Sequence, residues 1–189
     1  MDNLPLIVGI TGPIRSGKST AALYLEKHYG YRSVPNVQVL QRILHALGLP
    51  QRRELLAATG DALFAELGRD IIARARVAEV MSPNTSNLRY VIDGIRYPEE
   101  LVVYKKLPSF KLIALESPNQ DRYHRALNTS NAIKDGSISL DKFIALNSAQ
   151  SEKYVPELIE LADYKISNSG DVRLLEENLD CALKLFSRS

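Results

Sequence analysis

One cysteine in 189 residues, Cys181, excludes an internal disulfide and fits a reducing compartment. Long apolar runs are also missing. None approaches the roughly 18 residues that a membrane-spanning helix needs. The opening Met1-Asp2-Asn3-Leu4-Pro5 has no basic stretch leading into an apolar one, so no signal peptide is read there. The expectation is a cytoplasmic protein with no membrane partner. Charge of one sign is scarce as well. The 24 Lys and Arg stand against 22 Asp and Glu, a net +2 too small to imply a nucleic-acid surface, without excluding a local basic groove. Tryptophan is absent, and basic and aromatic residues do not alternate as a single-strand groove requires. The three histidines, His28, His45 and His124, lack metal-ligand spacing; His28 and His45 are expected on the surface or in packing, and a phosphate role for His124 has no support.

What remains is an ordinary globular composition, 45% apolar and 24% charged, of a length that suits one domain spanning 1–189. Short apolar runs at Leu6–Ile10, Tyr31–Val34, Tyr90–Ile92, Lys111–Glu116 and Tyr164–Ser167 read as strands. Helical patterns lie between them, at Ser19–Tyr29, Val37–Leu47, Pro98 to about Leu107 and Asn119 to about Leu127. A long tract from Arg52 to Met81 is expected to break near Gly60 or Gly68. Leu140–Tyr154, Pro156–Leu161 and Val172–Phe186 complete the helices, with Cys181 expected in the core beside Leu179 and Leu185. Pro83–Asn87 reads as a surface loop and Asn128–Ser139 as a candidate mobile one. Strands alternating with helices predict an α/β fold whose parallel sheet is covered on both faces.

Gly12-Pro13-Ile14-Arg15-Ser16-Gly17-Lys18-Ser19 follows the first strand and opens the first helix. This G-x-x-x-x-G-K-[ST] spacing is that of a triphosphate cradle. Glycines let the backbone approach phosphate closely, and successive N–H groups then face inward at a positive helix end. Lys18 is expected on the β- and γ-phosphates and Ser19 on Mg²⁺, with Arg15, Ser16 and Thr20 beside them. No Asn-Lys-x-Asp segment is present to select guanine. Asp93, at the end of the Tyr90–Ile92 run, lies where ligands bind in open α/β sheets. There it would hold Mg²⁺ or accept a proton, while Arg96, three residues on, offers a forked donor to a phosphate.

Together the cradle, Asp93-Gly94-Ile95-Arg96 and Ala162-Asp163-Tyr164-Lys165-Ile166-Ser167-Asn168-Ser169-Gly170 resemble the nucleoside monophosphate kinase superfamily. The chain looks most similar there to deoxynucleoside monophosphate kinases and dephospho-coenzyme A kinase-like proteins. The resemblance implies a three-layer α/β/α fold with a five-stranded parallel sheet, ATP and Mg²⁺ as cofactors, and Asn168 and Gly170 near the adenine. It also implies acceptor-binding helices at 37–82, where Arg53-Glu54-Leu55-Leu56 and Thr59-Gly60-Asp61 are similar to their start, and a lid at about 122–141. The lid departs from the family pattern. It offers Arg122 and Arg125 on one helix face and then only Lys134, with Asn128 and Asn131 where arginine is usual. Val34-Pro35-Asn36 likewise lacks the usual acceptor signature. The tyrosines Tyr97, Tyr104 and Tyr123 are expected in packing rather than base stacking.

The predicted activity is transfer of the ATP γ-phosphate to a small acceptor, a (deoxy)nucleoside monophosphate. Lys18, Asp93, Arg96, Arg122 and Arg125 are the candidate catalytic residues, and Ser19 and Asp93 the candidate metal ligands. Three alternatives stay open: phosphorylation of a sugar hydroxyl as in dephospho-coenzyme A, a non-catalytic nucleotide-binding regulator, and a kinase acting on modified DNA. A homodimer is also left open.

Overall fold

The apolar runs do form the sheet. In the computed structural model, which describes residues 4–82, 88–128 and 138–188, β1 is Ile7–Thr11, β2 Arg32–Ser33, β3 Tyr90–Asp93, β4 Phe110–Glu116 and β5 Tyr164–Ser167. Among the described residues these five strands make one parallel sheet in the order β2-β3-β1-β4-β5. The first strand therefore lies at the centre, paired on both edges, and every residue of β1 is buried. A strand covered on both faces has no polar side to alternate, which explains its continuous apolar run.

Alternate residues of the inner strands β1, β3 and β4 feed two separate cores. Val8, Ile10, Val91, Ile113 and Leu115 point toward α1 (Lys18–Tyr29) and the C-terminal helix α9 (Val172–Phe186). Ile7, Ile92 and Leu112 point the other way, toward α4 (Ile71–Val80), α5 (Pro98–Tyr104) and α8 (Val155–Glu160). The remaining helices are α2 (Val37–Ala46), α3 (Arg53–Leu67), α6 (Asn119–Asn128) and α7 (Leu140–Asn147). Residues 83–87, and the middle of the expected lid with Asn131 and Lys134, lie outside the described residues.

Two expectations need correction. Cys181 is exposed rather than in the core. The buried stripe of α9 runs through Leu175, Leu179, Ala182, Leu183 and Phe186. Two residues beyond Leu179 means a rotation of about 200°, which carries Cys181 to the opposite face. Leu140–Tyr154 is not one helix either. It ends at Asn147, Ala149 is extended (φ −62°, ψ 149°), and a single 3₁₀ turn, Gln150–Glu152, precedes α8. Of the two expected break points in the 52–81 tract, the chain uses Gly68, at φ 88°. Gly60 stays inside α3, buried against Leu40 of α2 and Phe64.

The helices at 37–82 are held to the sheet edge by a buried cation. Arg76 of α4 is fully buried; it donates to Pro35 O at 2.5 Å, to Gln38 Oε1 at 3.2 Å and to Glu79 Oε2 at 2.5 Å. Glu79 in turn accepts two hydrogen bonds from Arg42 of α2, each at 3.0 Å. Burial lowers the Arg76 pKa, and Glu79 opposes that shift. Removing Arg76 leaves a cavity and takes the donor from Pro35 O, while the partly exposed Glu79 keeps Arg42. Arg76→Ala should thus cost about 2–4 kcal/mol in urea denaturation, and Arg76→Met, which keeps most of the volume, clearly less. A loss below about 1 kcal/mol for the alanine variant would show that the network is dispensable.

Candidate functional site

The carboxyl ends of the strands bring the sequence motifs together. Ile10 stands opposite Asp93 in the β1–β3 register, so the loop leaving β1 and the loop leaving β3 start side by side. Gly94 N donates to Ile10 O at 3.2 Å, and Thr11 Oγ1 donates to Ile95 O at 2.9 Å, tying the two loops at their roots. On the other side β4 pairs with β5 through Glu116 and Ser167, and Asn168 N donates to Glu116 O at 2.7 Å.

The loop from Gly12 to Gly17 turns through positive φ at three places: Gly12 (143°), Arg15 (63°) and Gly17 (102°). A β-carbon at Gly12 would lie 2.3 Å from Leu115 O, and one at Gly17 would lie 2.4 Å from Asn168 Nδ2. Both glycines are therefore required by conformation, and Gly12 by space as well, because the atom in the way is a backbone carbonyl. Ser16 N closes the turn on Pro13 O at 3.1 Å, and Gly17 caps α1 in the left-handed region. The Ser16 hydroxyl is buried with no hydrogen-bond partner.

Lys18 lies across this loop, its ammonium donating to Gly12 O at 2.9 Å and Pro13 O at 2.8 Å. Desolvation, followed by the nearby Arg96 charge, lowers its pKa from 10.5 to about 7. Ser19 and Thr20 are exposed at the start of α1. The Ser19 hydroxyl donates to Asp93 Oδ2 at 2.9 Å, while Asp93 Oδ1 is buried without a partner. A hydroxyl and a carboxylate oxygen thus meet at the mouth of the loop, a donor set suited to a hard divalent cation.

Arg96 bends back to the same loop. It donates to Gly12 O at 3.3 Å and to Glu152 Oε1 at 2.5 Å. Its backbone is fixed by Glu100, a fully buried carboxylate that accepts from Arg96 N at 2.8 Å and Tyr97 N at 3.1 Å. Glu100 also accepts from Asn36 Nδ2 at 2.8 Å, and Asn36 Oδ1 accepts from the buried Tyr104 hydroxyl at 2.8 Å. Burial pushes the Glu100 pKa up to about 7 against the pull of those two backbone donors.

Arg122 and Arg125 reach the loop from its other side, yet their donors go to protein oxygens. Buried Arg122 donates to Ser117 O at 3.1 Å, to Ile14 O at 2.9 Å, to Asn147 Oδ1 at 2.5 Å and to Asn119 Oδ1. Arg125 donates to Asn168 O at 2.7 Å, Ser117 Oγ at 3.0 Å and Arg15 O at 3.4 Å. Asn168 is braced too, its side-chain amide donating to Ser16 O at 2.8 Å. Gly170 lies two residues on, exposed in the turn before α9. The structure therefore assembles the cradle, Asp93, Arg96, Arg122, Arg125 and Asn168 around one loop and leaves Gly170 at its edge.

Three participants have no sequence signature. Glu152 is buried, and its carboxylate accepts from Ile14 N at 2.9 Å as well as from Arg96. Glu100 supports the Arg96 loop as described above. Arg69, between α3 and α4, stands over the rings of Tyr154 (4.8 Å) and Tyr97 (5.5 Å), and donates to the Tyr154 hydroxyl at 2.9 Å. Nothing in the spacing of these residues marks them, because their partners lie 56, 64 and 85 positions away in the chain.

No protein-family model matches this chain. A UPF0200 protein of Methanococcus vannielii is 29% identical over 178 residues, 94% of this chain and 95% of that protein. A deoxycytidylate deaminase of Schizosaccharomyces pombe is 26% identical over 170 residues, which are 88% of this chain but 47% of the deaminase. Among solved structures, a shikimate kinase from Bacteroides thetaiotaomicron aligns with a TM-score of 0.62 at 17% identity, covering 95% of this chain and 97% of its own. A dephospho-CoA kinase from Campylobacter jejuni aligns with a TM-score of 0.55 at 18% identity, covering 97% and 98%. At such identities the structures show the fold alone. The chain has a P-loop kinase-like fold, and among the described residues no helix is long and apolar enough to cross a membrane.

The environment of Lys18 makes stability depend on pH. Between about 7 and 10.5 the unfolded chain holds the lysine proton and the folded chain does not, so stability rises with pH across that window. From pH 6.5 to 9, urea denaturation should show the wild type gaining on Lys18→Met. Parallel curves for the two proteins would contradict a neutral folded lysine.

Proposed function

We propose that this chain is an ATP-dependent phosphotransferase acting on a small nucleotide, in first place a (deoxy)nucleoside monophosphate. The observation that carries the reading is the Ser19–Asp93 pair, 2.9 Å apart, with a second Asp93 oxygen buried and unpartnered beside the cradle. Ser19 and Asp93 would hold Mg²⁺, directly or through water. Bound there, the metal would supply positive charge to the oxygens of the transferring phosphoryl group.

The chain's own groups do the rest. Inward-facing amides of the cradle bind the donor phosphates. Lys18, near neutrality in the protein alone, becomes a cation once triphosphate charge surrounds it, and so binding is accompanied by proton uptake above pH 7. Arg96 orients the anionic acceptor, and Arg15 adds charge to the rim of the loop. Arg122 and Arg125 act through their carbonyl contacts by fixing the loop and Asn168, which stands on the adenine side. We further propose that 37–82 forms the acceptor floor and about 122–141 the lid over a single domain.

For a monophosphate acceptor the nucleophile is already an oxyanion, and Asp93 needs only to orient it and hold the metal. The relationship to a protein named for deoxycytidylate supports that acceptor class. The fold neighbours named as shikimate and dephospho-CoA kinases favour a second reading, in which a hydroxyl attacks and Asp93 takes its proton. The test is incubation with ATP, Mg²⁺ and a panel of nucleoside monophosphates, deoxynucleoside monophosphates and dephospho-coenzyme A. Phosphorylation of one monophosphate is the expected result. Tight ATP binding with no acceptor phosphorylated would replace the kinase reading with a nucleotide-binding regulator. Lys18→Ala should lower turnover by about 10²–10³-fold with the circular dichroism spectrum unchanged; undiminished turnover would remove Lys18 from its assigned place.

A further inference from the structure

Glu152 is the one carboxylate among the described residues that accepts from an amide of the phosphate loop. It is nine-tenths buried, and its two oxygens divide their contacts: Oε2 takes Ile14 N–H at 2.9 Å and Oε1 takes Arg96 at 2.5 Å. Lys18 feels the charges of Arg96, Asp93, Glu152 and Arg122 together, so all four groups share one small volume. A loop amide and a guanidinium converging on an oxyanion are the donors that a phosphate oxygen requires. A carboxylate and a phosphate cannot hold them together without placing like charges in contact.

The segment carrying Glu152 has space beside it. It is a single 3₁₀ turn between α7 and α8, and it borders a cavity of about 400 Å³ also lined by Pro13, Arg122 and Asn147. A displaced carboxylate would therefore remain beside a guanidinium. Tyr154, two residues on, accepts from Arg69, so movement of the turn extends to the acceptor side.

We propose that Glu152 is an internal competitor for the phosphate seat: it occupies Ile14 N–H and holds Arg96 until the donor nucleotide's phosphate displaces it from the amide, which frees Arg96 for the acceptor and shifts the α7–α8 turn. This rests on the nucleotide-binding reading above. Its consequence is regulation, because affinity for the donor is held down by a side chain whose release also loosens the hold on Arg69.

The test is calorimetry on the full chain with two probes, tripolyphosphate and the β,γ-imido analogue of ATP with Mg²⁺. Glu152→Gln keeps the size and removes the charge; it should bind both probes about tenfold more tightly than wild type. Glu152→Asp, with its carboxylate one methylene shorter, should gain about threefold, and it serves alone if the glutamine variant does not fold. Hydrogen exchange at 148–155 should rise on binding in wild type and stay unchanged in Glu152→Gln. If wild type binds the probes while both variants bind them equally or more weakly, Glu152 is a positioning residue for Arg96 and the competition is overturned. If wild type and variants alike bind neither probe, the nucleotide-binding reading falls, and this inference with it.

Discussion

Positive charge concentrated on one short loop is the constraint from which the rest of this site follows. Lys18, Arg96 and Arg122 all donate to carbonyls of the 12–14 segment, and Arg125 donates to Arg15 O. Cations gathered in a partly dry environment repel one another and favour loss of a proton where one can be lost. Guanidinium groups keep theirs at ordinary pH, so the lysine yields: burial first, then the charges of Arg96 and Arg122, lower its pKa to about 7. Asp93 and Glu152 supply compensating negative charge. The proposed ligand, rich in oxyanions, would meet this cluster of cations.

Sheet order creates that concentration. With β1 in the middle, the loop after it is flanked on one side by the end of β3 and on the other by the ends of β4 and β5. Asp93 and Arg96 come from the first neighbour, Ser117 and Asn168 from the second, and α6 brings Arg122 and Arg125 over the top. Each strand carries only a few residues beyond its last ladder pair before turning into a helix. Short connections fix those residues within about an ångström, as no long loop would.

The sheet was legible in the sequence because each strand is a compact apolar run, and the strand-to-loop-to-helix order around Gly12–Ser19 is local information. The break in the 52–81 tract was legible as one of two glycines, and the chain takes the one that adopts positive φ, Gly68. Long-range polar partners were not legible. Glu100 looks like any acidic residue in a helix's first turn until Asn36 and Arg96 are brought to it. Arg76 looks like a solvated arginine until α4 is pressed against the start of α2. The arginines of α6 were found by their i, i+3 spacing, but spacing cannot tell a side chain that faces phosphate from one bonded to carbonyls. Burial betrays Arg122, but Arg125 is only half-buried, and its carbonyl partners become visible with the fold.

This contrast explains why the donor side is specific in sequence and the acceptor side is not. A triphosphate is gripped mainly by backbone amides, which demand a fixed run of glycines, lysine and hydroxyl in consecutive positions. On the proposed reading an acceptor would be gripped by side chains from the α3–α4 connection, the β3–α5 loop and the α7–α8 turn, and any one of them is a single unremarkable residue. Arg69, Tyr97 and Tyr154 meet from three such places. Tyr154 lies two residues beyond Glu152, at the start of α8, so on the proposed reading the acceptor side and the carboxylate on the phosphate loop would rearrange together. Specificity would then follow from how the turn at 148–155 is seated, with Arg96 bonded to both the loop and that turn.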